Sequence, residues 1–182
     1  MKTRLAALAA ELDTTDRTLR RALQQGLLRA QRPSPRTVDL SVTERAYLRR
    51  AWPLLSSLRE ALRTEPAVSL AVLFGSRARG DDHPRSDVDL LVRLRQGADR
   101  RKLASRLSES LGLRTRLVAL EDAERAPLLL AEVMREGRVV IDRDKAWPAL
   151  LARRHRIERA ARRERRRIDD DFAAAFGLDR GA

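Results

Sequence analysis

The sequence predicts an α+β protein: a helical N-terminal third, a small sheet interleaved with helices, and a long basic helix at the C-terminus. Three observations predict it. Leucine and alanine recur at helical spacing from Leu5 to Leu62. Short apolar runs bounded by glycine or charge follow at 68–74, 87–92, 114–120 and 139–141, as strands do. From Lys145 to about Phe176 the pattern is helical again, unbroken or once broken, and rich in arginine.

Leu5, Leu8, Ala9 and Leu12 mark a first short amphipathic helix. Asp13-Thr14-Thr15 supplies a turn and an N-cap for a second helix, with Leu19, Ala22 and Leu23 on its inner side and Gly26 as its stop. Two short helices joined by a tight turn form the helix-turn-helix pattern. Pro33-Ser34-Pro35-Arg36 then separates two short extended segments that read as a hairpin, or wing. Ser41 and Glu44 have the spacing of a capping box and open a connector helix. Pro53 is expected to break or kink it, and Pro66 to end it. Beyond the strand at 87–92, Leu103, Leu107 and Leu111 define a helix stopping at Gly112. A further helix is expected over 121–136, capped by Gly137. The expected organisation is 1–40 helix-turn-helix, 41–66 connector, 67–142 sheet domain and 143–182 basic helix.

Composition bounds the chemistry. With 43% hydrophobic residues in 182 the chain can fill a core, and with 3% aromatics that core must be mostly Leu, Ala and Val. The absence of cysteine excludes disulfides, thiolate zinc sites and cysteine nucleophiles. His83 and His155, far apart in sequence, make a poor metal pair. No apolar run approaches the ~20 residues of a membrane span, and the N-terminus lacks a signal-peptide pattern, so a cytoplasmic protein is expected. The net charge of +13 favours a polyanionic partner such as nucleic acid.

Two words carry the chemistry: Leu73-Phe74-Gly75-Ser76-Arg77-Ala78-Arg79-Gly80 and Ser86-Asp87-Val88-Asp89-Leu90-Leu91-Val92. A glycine directly after a strand lets a phosphate approach backbone N–H groups; Ser76 adds a hydroxyl, and Arg77 and Arg79 add positive charge. Asp87 and Asp89, two apart on a strand, share one face while Val88, Leu90 and Val92 occupy the other. Paired carboxylates repel unless a cation sits between them, and hard oxygen ligands with room for phosphate oxygens suit Mg²⁺.

These residues resemble the minimal nucleotidyltransferases of the DNA polymerase beta-like superfamily, continuously from Leu73 to Val92 and more loosely, by element order, to Ile141. The resemblance implies a small mixed sheet. It also implies an ATP or other NTP substrate, Mg²⁺ or Mn²⁺ on the catalytic carboxylates Asp87 and Asp89, and phosphate binding by Gly75, Ser76, Arg77 and Arg79. Some members act as antitoxins that transfer AMP to a nuclease toxin, so a cognate partner protein is a further expectation. The family's third carboxylate belongs on the strand at 114–120. This sequence reads Thr115-Arg116-Leu117-Val118 there. A guanidinium neither binds metal nor accepts a proton, and Arg116 would pair with the two aspartates. Two substitutes are available: Glu121 or Asp122 just beyond the strand, or a carboxylate from a partner. An active transferase and a degenerate nucleotidyltransferase fold serving a DNA-binding regulator therefore stand side by side.

DNA contact is expected from the second helix and the wing, through Thr15, Arg17, Thr18, Arg20, Arg21, Arg32 and Arg36. The basic C-terminal stretch carries an apolar stripe, Leu150, Leu151, Ile157, Ala161, Ile168 and Phe172, suited to its own domain or to a homodimer mate.

Overall fold

Leu5, Leu8 and Ala9 bury one side of the first helix, α1 (Leu5–Glu11). Thr15 caps the second, α2 (Asp16–Gln25), by accepting from the Thr18 N–H at 3.1 Å, and Gly26 ends it at φ +86°. A hairpin follows, β1 (Gln31–Ser34) paired antiparallel with β2 (Thr37–Asp39). The computed structural model describes residues 5–34 and 37–176, with side chains described outside 31–37. Arg36 and the Arg32 side chain, both expected at a nucleic-acid interface, lie outside the described part.

Ser41 opens α3 (Val42–Arg63), accepting from the Glu44 N–H at 3.0 Å. The expected break at Pro53 is absent: the helix runs 22 residues with Pro53 inside. The proline sits on the exposed side, while Trp52, Leu55 and Leu58 bury the other. Packing of that face outweighs one lost hydrogen bond.

Then come β3 (Val68–Phe74), the single turn α4 (Ser76–Arg79), β4 (Val88–Leu94), α5 (Arg100–Leu111), β5 (Thr115–Ala119), α6 (Leu120–Glu124), α7 (Pro127–Glu136), β6 (Arg138–Asp142), α8 (Ala146–Ala152) and α9 (Arg154–Phe176). One helix was expected over 121–136. The structure has two, because Pro127 lacks an N–H and disfavours helical geometry at Ala126, so it starts a new helix instead of continuing the old one. Gly137 caps α7 as expected, its N–H donating to the Val133 carbonyl at 2.7 Å, but not in the left-handed conformation. It is extended (φ −61°, ψ 148°), and an added Cβ would lie 2.4 Å from the Val133 carbonyl oxygen and 2.6 Å from Val72 Cγ1. Close packing, not positive φ, makes glycine necessary there.

The four-stranded sheet has the order β5-β4-β3-β6, with β3 antiparallel to both neighbours and β4 parallel to β5. Every residue of β3 is buried, which requires cover on both faces. Ala71, Leu73, Leu90 and Val92 face the core formed with α1, α2, α3 and α5. Leu70, Val72, Phe74 and Leu91 face the core formed with α6, α7, α8 and α9. The N-terminal helices thus share a core with the sheet. Their exit also closes the outer edge of β6, where the Val139 N–H donates to the Gly26 carbonyl at 3.2 Å. Among the described residues, no helix is long and apolar enough to cross a membrane.

Candidate active site

The end of β3 turns at Gly75 with φ +73° and ψ −159°, a conformation that a side chain disfavours. An added Cβ would stand 3.0 Å from Asp89 Oδ2, so the bend and the carboxylate lie against each other. The N–H groups of Ala78 and Arg79 return to the Gly75 carbonyl at 3.0 and 3.1 Å. Those of Ser76 and Arg77, at the first turn of α4, have no acceptor within the helix. Gly80, at φ +91°, releases the chain toward β4.

Asp87 stands immediately before β4 and Asp89 within it, both half-buried. They project with Leu91 toward the α6–α9 side, and Val88, Leu90 and Val92 fill the opposite core. In the register of the parallel pair, Arg116 is opposite Asp89. Its guanidinium reaches Asp87 Oδ2 at 3.4 Å, with Arg114 at 4.0 Å from the same oxygen. Burial raises the Asp89 carboxyl above its ordinary range; Arg116 works against that and Asp87 reinforces it. Neither Glu121 nor Asp122 reaches the site. Val92 pairs with Ala119, the last residue of β5, about 10 Å along the strand from the level of Asp89, and Glu121 lies beyond it in α6. Asp122 is bound to Arg100 at 2.7 Å. Among the described residues, no three potential metal-binding side chains converge.

The other expected phosphate ligands divide. Ser76 is half-buried at the bend. Arg79 is 39% exposed and pairs with Asp81 at 3.0 Å and Glu136 at 2.8 Å. Arg77 turns inward instead: it donates to the Ser86 carbonyl from Nε at 3.0 Å and Nη2 at 2.8 Å, and reaches Asp82 at 3.4 Å. It ties the two sequence words together from behind.

Sequence reasoning missed the support beneath the bend. Glu136 accepts from the Gly75 N–H at 3.2 Å as well as from Arg79. Arg138, 1% exposed, forms a bidentate pair with Glu44 at 2.7 and 2.9 Å, donates to the Ala78 and Leu27 carbonyls, and lies 3.6 Å over the Tyr47 ring. The Tyr47 hydroxyl donates to the Arg77 carbonyl at 2.9 Å, and Arg50 donates to that of Gly80. Glu44 therefore does not complete a capping box with Ser41. Its carboxylate is drawn to a fully buried guanidinium and to the Arg29 N–H at 3.0 Å. The available signal was Arg138 itself, a charge directly before the apolar run Val139-Val140-Ile141.

On α2, the Thr15 and Thr18 hydroxyls bond each other at 2.9 Å and Arg20 pairs with Asp16 at 2.5 Å. Arg17 and Arg21 are exposed.

A glycine-serine bend packed on an Asp-x-Asp strand of a small mixed sheet defines a protein of the nucleotidyltransferase fold. The family model for polymerase beta, nucleotidyltransferase, matches residues 56–146, half of the chain, and the chain belongs to that family. No protein of curated function matches the sequence. Among solved structures, a toxin-antitoxin crystallised with AMP-PNP is 26% identical at a TM-score of 0.54, over 65% of this chain and 97% of that one. Two others share the fold. The toxin-antitoxin MntA-HepT is 23% identical (TM-score 0.51), over 66% of this chain and 97% of that one. The tri-AMPylated Shewanella oneidensis HEPN toxin in complex with MNT antitoxin is also 23% identical (TM-score 0.51), over 67% and 98%.

Proposed function

We propose that this chain is an antitoxin-like nucleotidyltransferase that transfers AMP from ATP to a partner protein, slowly because Arg116 stands where a third carboxylate would serve. The observation that carries the proposal is the contact of the Gly75 bend with Asp89. It puts backbone donors for a triphosphate beside two carboxylates. The 26% identity to a toxin-antitoxin crystallised with AMP-PNP supports both the nucleotide and the kind of partner.

The donor set fits one hard cation held jointly with a nucleotide. Mg²⁺ commonly takes one or two carboxylates and completes its shell with phosphate oxygens and water. Asp87 and Asp89 supply the first part. The set does not fit a freestanding or two-metal centre. When bound, Mg²⁺ or Mn²⁺ neutralises charge on the transferring phosphoryl group. The chain's own contribution is placement: Ser76 and the N–H groups of Ser76 and Arg77 orient phosphate oxygens, and Arg79 balances their charge. An acceptor hydroxyl would displace pyrophosphate at the α-phosphorus. Its proton has no carboxylate waiting on β5, and this is where Arg116 lowers the rate.

The Arg116–Asp87 ion pair at 3.4 Å favours a second reading. Here the domain is catalytically inactive and serves a DNA-binding regulator, with α2 and the hairpin forming a winged helix-turn-helix. The residues are Thr15, Arg17, Thr18, Arg20 and Arg21, together with Arg32 and Arg36. The two readings coincide in an autoregulating antitoxin.

Labelled ATP, Mn²⁺ or Mg²⁺ and the protein encoded beside this chain provide the test. Transfer of label by wild type and its loss in Asp87→Asn and Asp89→Asn are expected. Equal transfer by the variants refutes the assignment. No transfer by wild type, combined with salt-sensitive binding to its own upstream DNA, selects the second reading.

A further inference from the structure

A groove of about 490 Å³ lies away from the bend, between α2, the C-terminal half of α3 and the end of β6. Thr18, Gln25, Ser56, Arg59, Asp142 and Arg143 contribute to its wall. Most of its charges are already matched. Asp142 accepts from the Ala146 and Trp147 N–H groups at 2.8 and 3.1 Å. Arg143 donates to the carbonyls of Leu62, Arg63, Glu65 and Val68, where the end of α3 is electronegative. Arg63 pairs with Glu60 at 2.5 Å.

Arg59 is different. It is half-buried, and its hydrogen bond goes to the neutral Gln25 Oε1 at 3.0 Å. Its guanidinium is held below the ordinary arginine range by burial and then by the charge of Arg21. Arg29, lowered likewise by burial and then by a neighbouring cation, Arg138, differs in having Glu44, Tyr47 and Glu136 raising it in compensation. Arg21 stands between Thr18 and Gln25 on one face of α2, at i+3 and i+4 spacing. A cation withdrawn from water beside another cation is unfavourable unless an anion joins them.

We propose that Arg59 and Arg21, with the hydroxyls of Thr18 and Ser56, form a phosphate-group site in the groove between α2 and α3. The phosphate belongs to a nucleic-acid backbone seated on α2 or to a free phosphate or nucleotide. Both present the tetrahedral oxyanion that paired guanidinium groups and hydroxyls recognise. The site is independent of the one at Gly75, Asp87 and Asp89.

Inorganic phosphate is the first probe, added to the full chain at constant ionic strength while Tm is followed. Arg59→Met removes the charge and keeps most of the apolar stem. It is expected to melt higher than wild type without phosphate, and to lose the part of the phosphate-induced rise that a control at the exposed α5 position, Arg101→Gln, retains. Arg21→Gln, at an exposed position, is expected to lose part of the same rise. A lower Tm for Arg59→Met in phosphate-free buffer, or an equal phosphate response in all variants, overturns the proposal. Duplex DNA is the second probe. If the backbone is the source, the slope of log K against log salt falls by about 1 in Arg59→Met. An unchanged slope, with the phosphate response lost in Arg59→Met, supports the site with a free phosphate or nucleotide as its source. The difference between wild type and Arg59→Met is expected to be the same when both carry Asp87→Asn, so failure here is distinguishable from failure at the bend.

Discussion

Replacing Arg116 tests how far the guanidinium, and not the missing carboxylate alone, weakens the candidate active site. Arg116 Nη1 lies 3.4 Å from Asp87 Oδ2. At that separation two unit charges attract by ~1 kcal/mol in water and ~5 kcal/mol at an effective dielectric near 20. The Arg116 side chain is 61% exposed, so screening puts the interaction near the lower limit, at about 1 to 2 kcal/mol. A divalent cation must displace that attraction. Arg116→Ala is therefore expected to tighten Mn²⁺ binding, in the presence of a non-hydrolysable ATP analogue, by a factor of about 5 to 30. Arg116→Asp adds an oxygen donor opposite Asp89 and is expected to tighten it further. Titration of free Mn²⁺ by electron paramagnetic resonance reads both values directly. If the alanine variant binds Mn²⁺ no better than wild type, the ion pair is not competing with metal. If the aspartate variant gains nothing over alanine, the side chain at 116 does not reach the cation and the proposed geometry is wrong.

Three further outcomes are expected. Glu44→Gln leaves Arg138 buried without its counter-charge, a change that costs about 3 to 5 kcal/mol in comparable buried pairs; a loss below about 1 kcal/mol in urea unfolding contradicts the hub. Asp89, whose carboxyl is raised by burial, binds its proton more tightly in the folded state, so stability falls as pH rises from about 4 through the folded value. Asp89→Asn should then melt higher than wild type at pH 7 and equally at acid pH, and should fail to bind Mn²⁺; a lower melting point at pH 7 refutes this. The single tyrosine, Tyr47, is pushed up to about 12, chiefly by burial, so stability falls as pH rises from about 10 toward 12. Absorbance of tyrosinate in the native protein should rise near pH 12, and a rise near 10 shows that the ring is not enclosed.

Much of the fold was legible because its signals are local. Thr15, Gly26, Ser41 and Gly112 end helices through contacts within a few residues, and the structure finds each in that role. The alternation of Asp87 and Asp89 with Val88 and Leu90 set the aspartates on one face, and the phase of Arg116 put it on the same one. The errors arose where a distant residue outweighed the local preference. The break expected at Pro53 is absent because the packing of Trp52, Leu55 and Leu58 carries the helix through it, and the Glu44 carboxylate goes to Arg138 instead of back to Ser41.

The sequence by itself determined the order of elements, the two words of the site and the replacement of a carboxylate by Arg116, because spacing and residue type are enough for these. Only the tertiary structure decided that Arg77 faces inward, that Glu136 holds the Gly75 N–H, and that Glu44 and Arg138 join the N-terminal helices to the back of the bend. Glu44 and Arg138 are 94 positions apart in the chain. Pairing at that range leaves no periodicity to read; the two charges meet because the surrounding core excludes water and leaves each the other as partner.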